Sequence, residues 1–306
     1  MVAISRRTWL SAASLVSAAG AWGTLSLAGL FDHRYAARAS DHSLWRSTFT
    51  RLERLGDYVN GMCPIGHSTN LIVIKGVRVL TDPWFFDPAG GVLCHNDGPA
   101  ALPEDIGPLH GIFISHDHAD HFDPGALKRL DRTAKVMTAS YGVATAVRRL
   151  GYTDVVTLRP WETVRLGKAE LIAVPAPHGT AELGLVMRND QGKDGIYFAG
   201  DAGFSNVFET IAKRYQPKLA ILPVNGARTR FCSRQVMNVD EALAATRALG
   251  VRRVVPNHDG SKPCNALAAQ LRFQTPKASE TFANRVRQEL PGVLCIVPKS
   301  GDFVRV

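Results

Sequence analysis

The 306-residue sequence lacks the features that would divide it into several domains. Beyond its first 39 residues it has no linker rich in glycine, serine or proline, no internal repeat and no low-complexity run. Residues 40–306 are enough to build one large hydrophobic core. We therefore predict a single domain over residues 40–306, preceded by a separate leader over residues 1–39.

Cysteine is also scarce. The chain has five cysteines, and none of them forms a C-x-x-C pair. An odd number leaves at least one cysteine without a partner in the same chain. The cysteines therefore assign no function, and their pairing stays open.

The chain carries an excess of positive charge but no concentrated basic segment. Its formal net charge is +9, of which residues 1–39 contribute +3 from four arginines against one aspartate, so the rest carries +6. A mild, dispersed excess is not the footprint of a nucleic-acid-binding protein. It is compatible with an anionic small molecule, a lipid substrate or a membrane surface, and we expect no nucleic-acid partner.

The first residues have the pattern of an export signal. The stretch Ser5–Leu10 reads S-R-R-T-W-L and resembles a twin-arginine signal, and the mostly apolar stretch Trp9–Leu30 follows. Ala37–Ala39 then offers a small-x-small cleavage site. We expect the twin-arginine export machinery as a partner and a periplasmic or other extracytoplasmic location. The alternative is an uncleaved N-terminal membrane anchor, because about 20 apolar residues can span a bilayer.

The strongest signal is a cluster of ionisable residues where a buried strand should end. The apolar run Gly111–Ile114 is followed by the sequence S-H-D-H-A-D-H at Ser115–His121. Imidazole and carboxylate groups are the usual ligands of zinc-like ions. Packing so many ionisable groups beside a buried strand is costly unless they are paired or hold a metal. We interpret the cluster as half of a two-metal site.

The spacing within the cluster suggests how two ions would be shared. His116 and His118 lie two apart on an extended stretch, so their side chains project to the same side and can hold one ion. Asp120 and His121 are adjacent, so they can share an ion only if the backbone turns there. The following Phe122–Pro124 favours such a turn.

Three further metal-capable side chains also follow apolar, strand-like runs. They are His178, Asp201 and His258. Each one alone has an ordinary explanation as a loop or turn residue. Together they occur at the same kind of position as the central cluster, and their number completes two coordination shells.

Other polar residues flank the predicted site. A predicted hairpin brings His67 and Asp82 to the same end of a sheet, where they could support the ligands or face the substrate. Asn225, Arg228 and Arg230 follow another strand, and the arginines could clamp an anionic part of a substrate. The alternatives are a hydrogen-bonded structural histidine and a solvated basic loop.

The rest of the chain alternates between strand and helix patterns. We predict helices over residues 141–150, 206–215, 239–249 and 279–290. Residues 293–298 and 303–306 predict a closing hairpin. Residues 84–108 predict a loop whose aromatic residues 84–86 are exposed and could line a pocket.

The motif H-x-H-x-D-H, followed by a later His, an Asp and a last His, resembles the metallo-beta-lactamase superfamily. The resemblance spans residues 63–306. It implies an α/β (α+β) fold, a four-layer αββα sandwich of two mixed sheets flanked by helices. It also implies two divalent metal ions as cofactors, zinc first, with manganese or iron as alternatives.

The resemblance further implies two sets of ligands. The first ion would be held by His116, His118 and His178. The second ion would be held by Asp120, His121 and His258, and Asp201 would bridge the two ions. Asp120, Asp201 and His258 are then also expected to take part in catalysis. The implied reaction is hydrolysis by water that the two ions activate.

Shorter motifs indicate a branch of the superfamily. H-S-T at 67–69, L-T-D-P at 80–83, L-P-V-N-G at 222–226 and P-N-H at 256–258 are similar to the branch containing L-ascorbate-6-phosphate lactonase and N-acylphosphatidylethanolamine phospholipase D. We expect an exported hydrolase of a lactone or activated ester. The alternatives are a phosphodiesterase of phospholipase D type acting on a lipid, and a non-catalytic metal-binding envelope protein. The sequence leaves open whether the chain forms a homo-oligomer.

Overall fold

Two large β-sheets form the centre of the molecule. The computed structural model describes residues 47–50, 59–179, 181–230 and 236–306. The predicted export signal, residues 1–39, lies outside the described residues. The described strands form two seven-stranded sheets and two short two-stranded ribbons.

The first sheet is built mainly from the amino-terminal half of the chain. Its spatial order is β18-β1-β2-β3-β5-β6-β7. The strand bounds are β1 (Gly61–Gly66), β2 (Thr69–Ile74), β3 (Val77–Thr81), β5 (Gly111–Ile114), β6 (Lys135–Thr138), β7 (Val155–Thr157) and β18 (Val304–Arg305).

The second sheet is built from the carboxyl-terminal half. Its spatial order is β17-β14-β12-β11-β10-β9-β8. The strand bounds are β8 (Thr163–Leu166), β9 (Ala169–Pro175), β10 (Leu183–Asn189), β11 (Ile196–Phe198), β12 (Leu219–Pro223), β14 (Arg253–Asn257) and β17 (Leu294–Cys295).

The ribbons and helices complete the described part of the chain. One ribbon pairs β4 (Leu93–His95) with β15 (Ser261–Pro263), and the other pairs β13 (Arg228–Thr229) with β16 (Arg272–Phe273). Six α-helices with bounds inside the described ranges are α1 (Pro124–Leu127), α2 (Tyr141–Arg149), α3 (Val207–Tyr215), α4 (Val239–Leu249), α5 (Ala266–Leu271) and α6 (Ala278–Glu289).

The strand directions bring many strand ends to one edge of each sheet. β1 and β3 both run antiparallel to β2, and β5 is parallel to β3. In the second sheet β9 and β11 both run antiparallel to β10, and β12 and β14 continue parallel to β11. The residues that follow these strands therefore collect at the carboxyl edges of the sheets, as in other α/β proteins.

Three apolar layers hold the sheets and helices together. Side chains from both sheets meet in the middle layer, among them Ile72 and Phe113 of the first sheet and Leu185, Phe198 and Ile221 of the second. A second layer packs α1 and α2 on the outer face of the first sheet, and a third packs α3, α4 and α6 on the second. Each fully buried side chain of this kind contributes about 1.5–3 kcal/mol relative to exposure. This helix–sheet–sheet–helix arrangement confirms the predicted four-layer fold.

The helix predictions are confirmed, but the predicted closing hairpin is wrong. Leu294–Cys295 pairs in parallel with β14 in the second sheet, whereas Val304–Arg305 pairs with β1 in the first. The backbone groups of each short strand form their hydrogen bonds with a strand of a different sheet. The two strands therefore never pair with each other.

The prediction of exposed aromatic residues after β3 is also wrong. Trp84, Phe85 and Phe86 are 0%, 2% and 8% exposed. The carboxylate of Asp123 accepts hydrogen bonds from the backbone N–H groups of Phe85 and Phe86, both at 3.1 Å. These bonds tie the segment to the chain just after the central motif, so its rings pack inward instead of lining a pocket.

A disulfide crosslinks the first ribbon. Cys94 on β4 is bonded to Cys264, which directly follows β15, across a separation of 170 residues. Among the described cysteines, Cys63 and Cys295 are free. No helix in the described ranges is long and apolar enough to cross a membrane.

The side-chain cap at the amino end of α4 can be tested for its contribution to stability. Asn238 accepts a hydrogen bond from the backbone N–H of Glu241, whose side chain accepts one from the backbone of Asn238. We expect Asn238→Ala to lower the free energy of unfolding by about 1 kcal/mol, measured by urea denaturation. Asn206→Ala at α3 is the matched control, because Asn206 makes no capping bond with its side chain. Equal losses in the two variants would contradict this role of the cap.

Candidate metal centre

Seven of the eight histidine and aspartate side chains that come together here are those predicted as ligands; the eighth is His67. They form two groups that could each hold a metal ion, and within each group the ligand atoms lie within 4.8 Å of one another. The first group consists of His116, His118, His178 and Asp201, and the second consists of His67, Asp120, His121 and His258.

The parallel strand ends explain why residues far apart in sequence meet. His67 follows β1, the central motif follows β5, His178 follows β9, Asp201 follows β11 and His258 follows β14. Both sheets place these carboxyl ends at the site. His67 and His258 are far apart in sequence and therefore meet because of the order and direction of the strands, not because of local structure.

The central motif turns as its spacing predicted. The backbone N–H groups of His121 and Phe122 both donate to the carbonyl oxygen of His118, at 3.0 and 2.9 Å. Asp123 then caps α1 by accepting from the backbone of Gly125 at 2.8 Å. The turn separates the side chains of His116 and His118, which join the first group, from those of Asp120 and His121, which join the second.

The ring nitrogens of the buried histidines point to a ligand inside the cluster. Among the described residues, the Nε2 atoms of His67, His116, His121 and His258 are buried and make no hydrogen bond of good geometry, even where a carboxylate oxygen lies near. Leaving such atoms unpaired is costly, and native structures rarely tolerate several together. A divalent ion would satisfy inward-facing imidazole nitrogens, so the donor set fits the metal that the motif implies.

Three of these rings are held from behind by their other nitrogen. The Nδ1 of His121 lies 2.8 Å from Asp82, that of His116 lies 2.9 Å from Ser115 Oγ, and that of His258 lies 3.1 Å from the side-chain oxygen of Asn225. Partners of this kind fix the orientation of metal-binding histidines. The structure thus places Asp82 and Asn225 behind the cluster.

Asp82 also anchors the start of the central motif. Its carboxylate accepts hydrogen bonds from the backbone N–H and the hydroxyl of Ser115, at 2.7 and 2.8 Å. Burial raises the pKa of Asp82, although His121 and these hydrogen bonds oppose the rise. One fully buried carboxylate therefore sets both the strand end and the ring of His121.

Asp201 lies between the two groups. One carboxylate oxygen is 3.3 Å from Nε2 of His121, and the other is 3.1 Å from Nε2 of His258 and 3.8 Å from Nε2 of His178. Burial alone would raise the pKa of Asp201, but the charges of His121 and His258 outweigh it and hold the pKa well below its usual value. The ionised carboxylate thus faces members of both groups.

Asp120 occupies the centre of the second group. Its Oδ2 lies 3.5 Å from His67, 3.9 Å from His121 and 3.7 Å from His258. Burial raises the pKa of Asp120, but the charge of His121, the contacts with His258 and His67, and the charge of Arg272 keep it well below its usual value. The carboxylate is therefore ionised and available as a ligand.

Glu182 is a buried member of the site that the sequence did not reveal. It precedes β10, accepts a hydrogen bond from the backbone N–H of Asp201 at 2.6 Å, and lies 3.5 Å from His116 and 3.8 Å from His178. Burial and the nearby charge of Asp201 raise its pKa well above the usual value. The side chain of Glu182 sits behind the first group much as Asp82 sits behind the second.

His67 lies closer to the other ligands than the sequence suggested. Its ring centroid is 4.2 Å from that of His258 and 5.2 Å from that of Trp84. Burial lowers its pKa to about 3, with the charge of His258 contributing. A neutral imidazole is the form that binds metal, so His67 can act as a ligand rather than only as a support.

The backbone at the site is held in an unusual conformation. His67, Asp82 and His258 have φ values of +48°, +40° and +60°. Residues other than glycine rarely adopt this left-handed region, and such residues concentrate at functional sites. The surrounding hydrogen bonds and packing must therefore stabilise these three positions.

The two predicted arginines lie outside the cluster. Arg228 and Arg230 are exposed. The guanidinium of Arg228 stacks over the ring of Phe273, 5.6 Å from its centroid. On this geometry the loop after β12 contributes Asn225 to the site.

Known proteins are similar to this chain in sequence and in fold. A family described as the beta-lactamase superfamily domain matches residues 77–258. A UPF0173 metal-dependent hydrolase of Caldivirga maquilingensis is 28% identical over 247 residues, 79% of this chain and 96% of that protein. The N-acyl-phosphatidylethanolamine-hydrolyzing phospholipase D 1 of Caenorhabditis elegans is 30% identical over 227 residues, 65% of this chain and 63% of that protein. Among solved structures, the metallo hydrolase Igni18 of Ignicoccus hospitalis matches with a TM-score of 0.62 and 22% identity, covering 81% of this chain and 98% of that one.

The family match covers more than half of the chain, which therefore belongs to the metallo-beta-lactamase superfamily. Relatives named as metal-dependent hydrolases and the two His/Asp groups agree on the class of enzyme. The chain is a metal-dependent hydrolase of this superfamily, and the resemblance found in its sequence is confirmed.

The contact between Asp82 and His121 gives a test of the supporting residues. We expect Asp82→Asn to weaken zinc binding about 10–100-fold, because the amide cannot replace the carboxylate beside Nδ1 of His121. Competition with a chromophoric chelator measures the affinity. Asp131→Asn is the control, since Asp131 also accepts from a backbone N–H and a hydroxyl, those of Thr133, away from the cluster. Equal affinities in both variants would show that Asp82 does not orient the ligand.

Proposed function

We propose that the protein hydrolyses the ester bond of a lactone or activated ester with two divalent ions, zinc first. The ligands would be His116, His118 and His178 for one ion, Asp120, His121 and His258 for the other, with Asp201 shared. The observation that carries this proposal is the position of the Asp201 carboxylate between two groups of inward-facing imidazoles. His67 is an additional candidate ligand on the side of Asp120.

The side chains have separate tasks in such a reaction. Two bound divalent ions would supply Lewis acidity and lower the pKa of nearby water. The ionised carboxylate of Asp120 can orient the attacking water and accept its proton. Asn225 holds His258 so that its Nε2 faces the reacting groups, at 3.7 Å from Asp120. With these residues no serine or cysteine nucleophile is required.

A second candidate reaction is the hydrolysis of a phosphodiester. The support for it is the relative from Caenorhabditis elegans, which is named for hydrolysis of N-acyl-phosphatidylethanolamine. The same two-metal arrangement can stabilise the attacking and leaving oxygens of a phosphoryl group. A lipid substrate would place the enzyme at a membrane surface.

We also propose that the chain is exported by the twin-arginine machinery. The support is the pattern at Ser5–Leu10 together with the Cys94–Cys264 disulfide. Disulfides persist in oxidising compartments such as the periplasm and are rare in the cytosol. Export in a folded state would also suit an enzyme that binds its metal before it leaves the cytoplasm.

Metal content tests the proposed site directly. We expect about two equivalents of divalent metal per chain by elemental analysis, and a sharp fall in Asp201→Asn because the shared ligand is lost. Hydrolysis of a lactone panel should fall with the metal. Asp190→Asn is the control, since Asp190 is an exposed carboxylate in the turn after β10.

The same panel separates the two reactions. Cleavage of N-acyl-phosphatidylethanolamine without any cleavage of lactones would replace the first reaction with the second. Failure of the folded parent to bind metal, checked by circular dichroism and reloading with zinc or manganese, would overturn both.

Export is tested by changing the paired arginines. We expect Arg6→Lys with Arg7→Lys to retain the protein in the cytoplasm of a producing bacterium, measured by cell fractionation. Arg34→Lys with Arg38→Lys is the matched control in the same leader. Mass spectrometry of the exported fraction should find the peptides of Cys94 and Cys264 joined. Equal export of both double variants would contradict the twin-arginine route.

A further inference from the structure

The strand β16 carries a partly buried arginine, Arg272, that the proposed reaction does not use. The Nε and Nη2 atoms of Arg272 are buried and have no hydrogen-bond partner within the described part of the chain. A guanidinium is always charged, and burying its donors without an acceptor is costly. Such a pair of buried donors calls for an explanation, and an anion is the partner that suits a charged guanidinium. Arg272 is therefore a candidate for binding an anion.

The segment that follows Arg272 packs against residues of the metal centre. The backbone N–H of Thr275 donates to the carbonyl oxygen of Asn225 at 2.8 Å, and the side chain of Gln274 donates to the carbonyl oxygen of Ser261 at 2.7 Å. Asn225 in turn contacts the ring of His258. The segment 272–275 is thus fixed on the side of the second group of ligands.

The strand that carries Arg272 lies beside the loop that carries Asn225. β16 pairs with β13 so that Arg272 is opposite Thr229, and the backbone N–H of Arg230 donates to the carbonyl oxygen of Leu271 at 2.8 Å. β13 begins three residues after Asn225. Backbone contacts therefore hold Arg272 next to the segment that supports His258.

Other polar atoms beside this segment also lack partners. The side-chain nitrogen of Asn225, the hydroxyl of Ser261 and the side-chain oxygen of Gln274 are buried without a hydrogen bond. Two of these three atoms can donate, as can the edge of Arg272. A surplus of buried donors beside a cationic group suits an oxyanion.

We propose that Arg272 binds an oxyanion group of the substrate, a phosphate or a carboxylate, next to the bond that is cleaved at the second metal position. This proposal rests on the proposed function and names the class of substrate: an ester that carries a negative charge. Nε and Nη2 form one edge of the guanidinium, and such an edge matches two oxygens of one anion. Arg272 thus takes the role that the sequence suggested for Arg228 and Arg230.

Binding of inorganic phosphate and of succinate by the metal-loaded full chain tests this proposal independently of turnover. We expect Arg272→Ala to weaken the binding of at least one of the two anions about tenfold or more in isothermal titration, with metal content unchanged. Arg272→Lys should recover part of the affinity, because it keeps the charge but loses the two-donor edge. Arg165→Ala is the matched control, since Arg165 is a surface arginine paired with Glu170.

A pair of esters with the same leaving group links the anion site to the reaction. We expect Arg272→Ala to raise KM for mono-p-nitrophenyl glutarate and to leave KM for p-nitrophenyl butyrate nearly unchanged. Phosphate and succinate, titrated separately, show whether the site prefers the headgroup of a phosphorylated substrate or a carboxylate.

Several results would overturn the proposal. The first is unchanged anion binding in both Arg272 variants, and the second is a loss of anion binding in Arg228→Ala instead. The third is a loss of metal together with anion binding in Arg272→Ala, which would make Arg272 only a support for Asp120. Absence of anion binding by the parent chain would overturn it as well. If neither ester is hydrolysed but phosphate binding still depends on Arg272, the proposed function fails and the anion site stands.

Discussion

The structure depends on two ionised carboxylates, Asp120 and Asp201, that are buried among histidine rings at the carboxyl edges of both sheets. Removing a carboxylate from water costs several kcal/mol unless opposite charge surrounds it. Without metal, the charges of His121 and His258 keep the two carboxylates ionised. Bound cations would take over that role, because the imidazoles bind metal in their neutral form. The arrangement is stable only if the strand ends hold these groups within a few ångströms, so the sheet topology and the site constrain each other.

A second ring of contacts makes the geometry specific. Asp82 and Asn225 each hold one imidazole by its Nδ1, and Glu182 lies behind two more. The position beside Asp201 also requires glycine, because Gly200 has a φ of +61° and a Cβ there would lie 2.3 Å from Oε1 of Glu182. The rings of His116, His121 and His258 thus point inward because turning them would break the contact at Nδ1.

The sequence revealed the parts of the site that are encoded locally. The motif at 115–121 and the residues His178, Asp201 and His258 each follow an apolar run, and that pattern is visible without coordinates. Glu182 and Arg272 follow no such rule, because their positions are set by packing between segments that are distant along the chain. The burial of Trp84 was missed for the same reason: its ring stacks on that of His95 at 3.7 Å between centroids, and its backbone N–H donates to the side chain of Thr69.

The metal centre and the anion site depend on different parts of the fold. The proposed ligands follow the long paired strands of the two sheets, whereas Arg272 lies on a two-residue strand of a small ribbon. The other ribbon is joined to its partner segment by the Cys94–Cys264 disulfide, and it continues directly from His258 through Gly260. Short connecting segments tolerate change far better than strands that carry a core. A scaffold of this kind can therefore keep its hydrolytic chemistry fixed while the ribbons determine which charged group of a substrate is recognised.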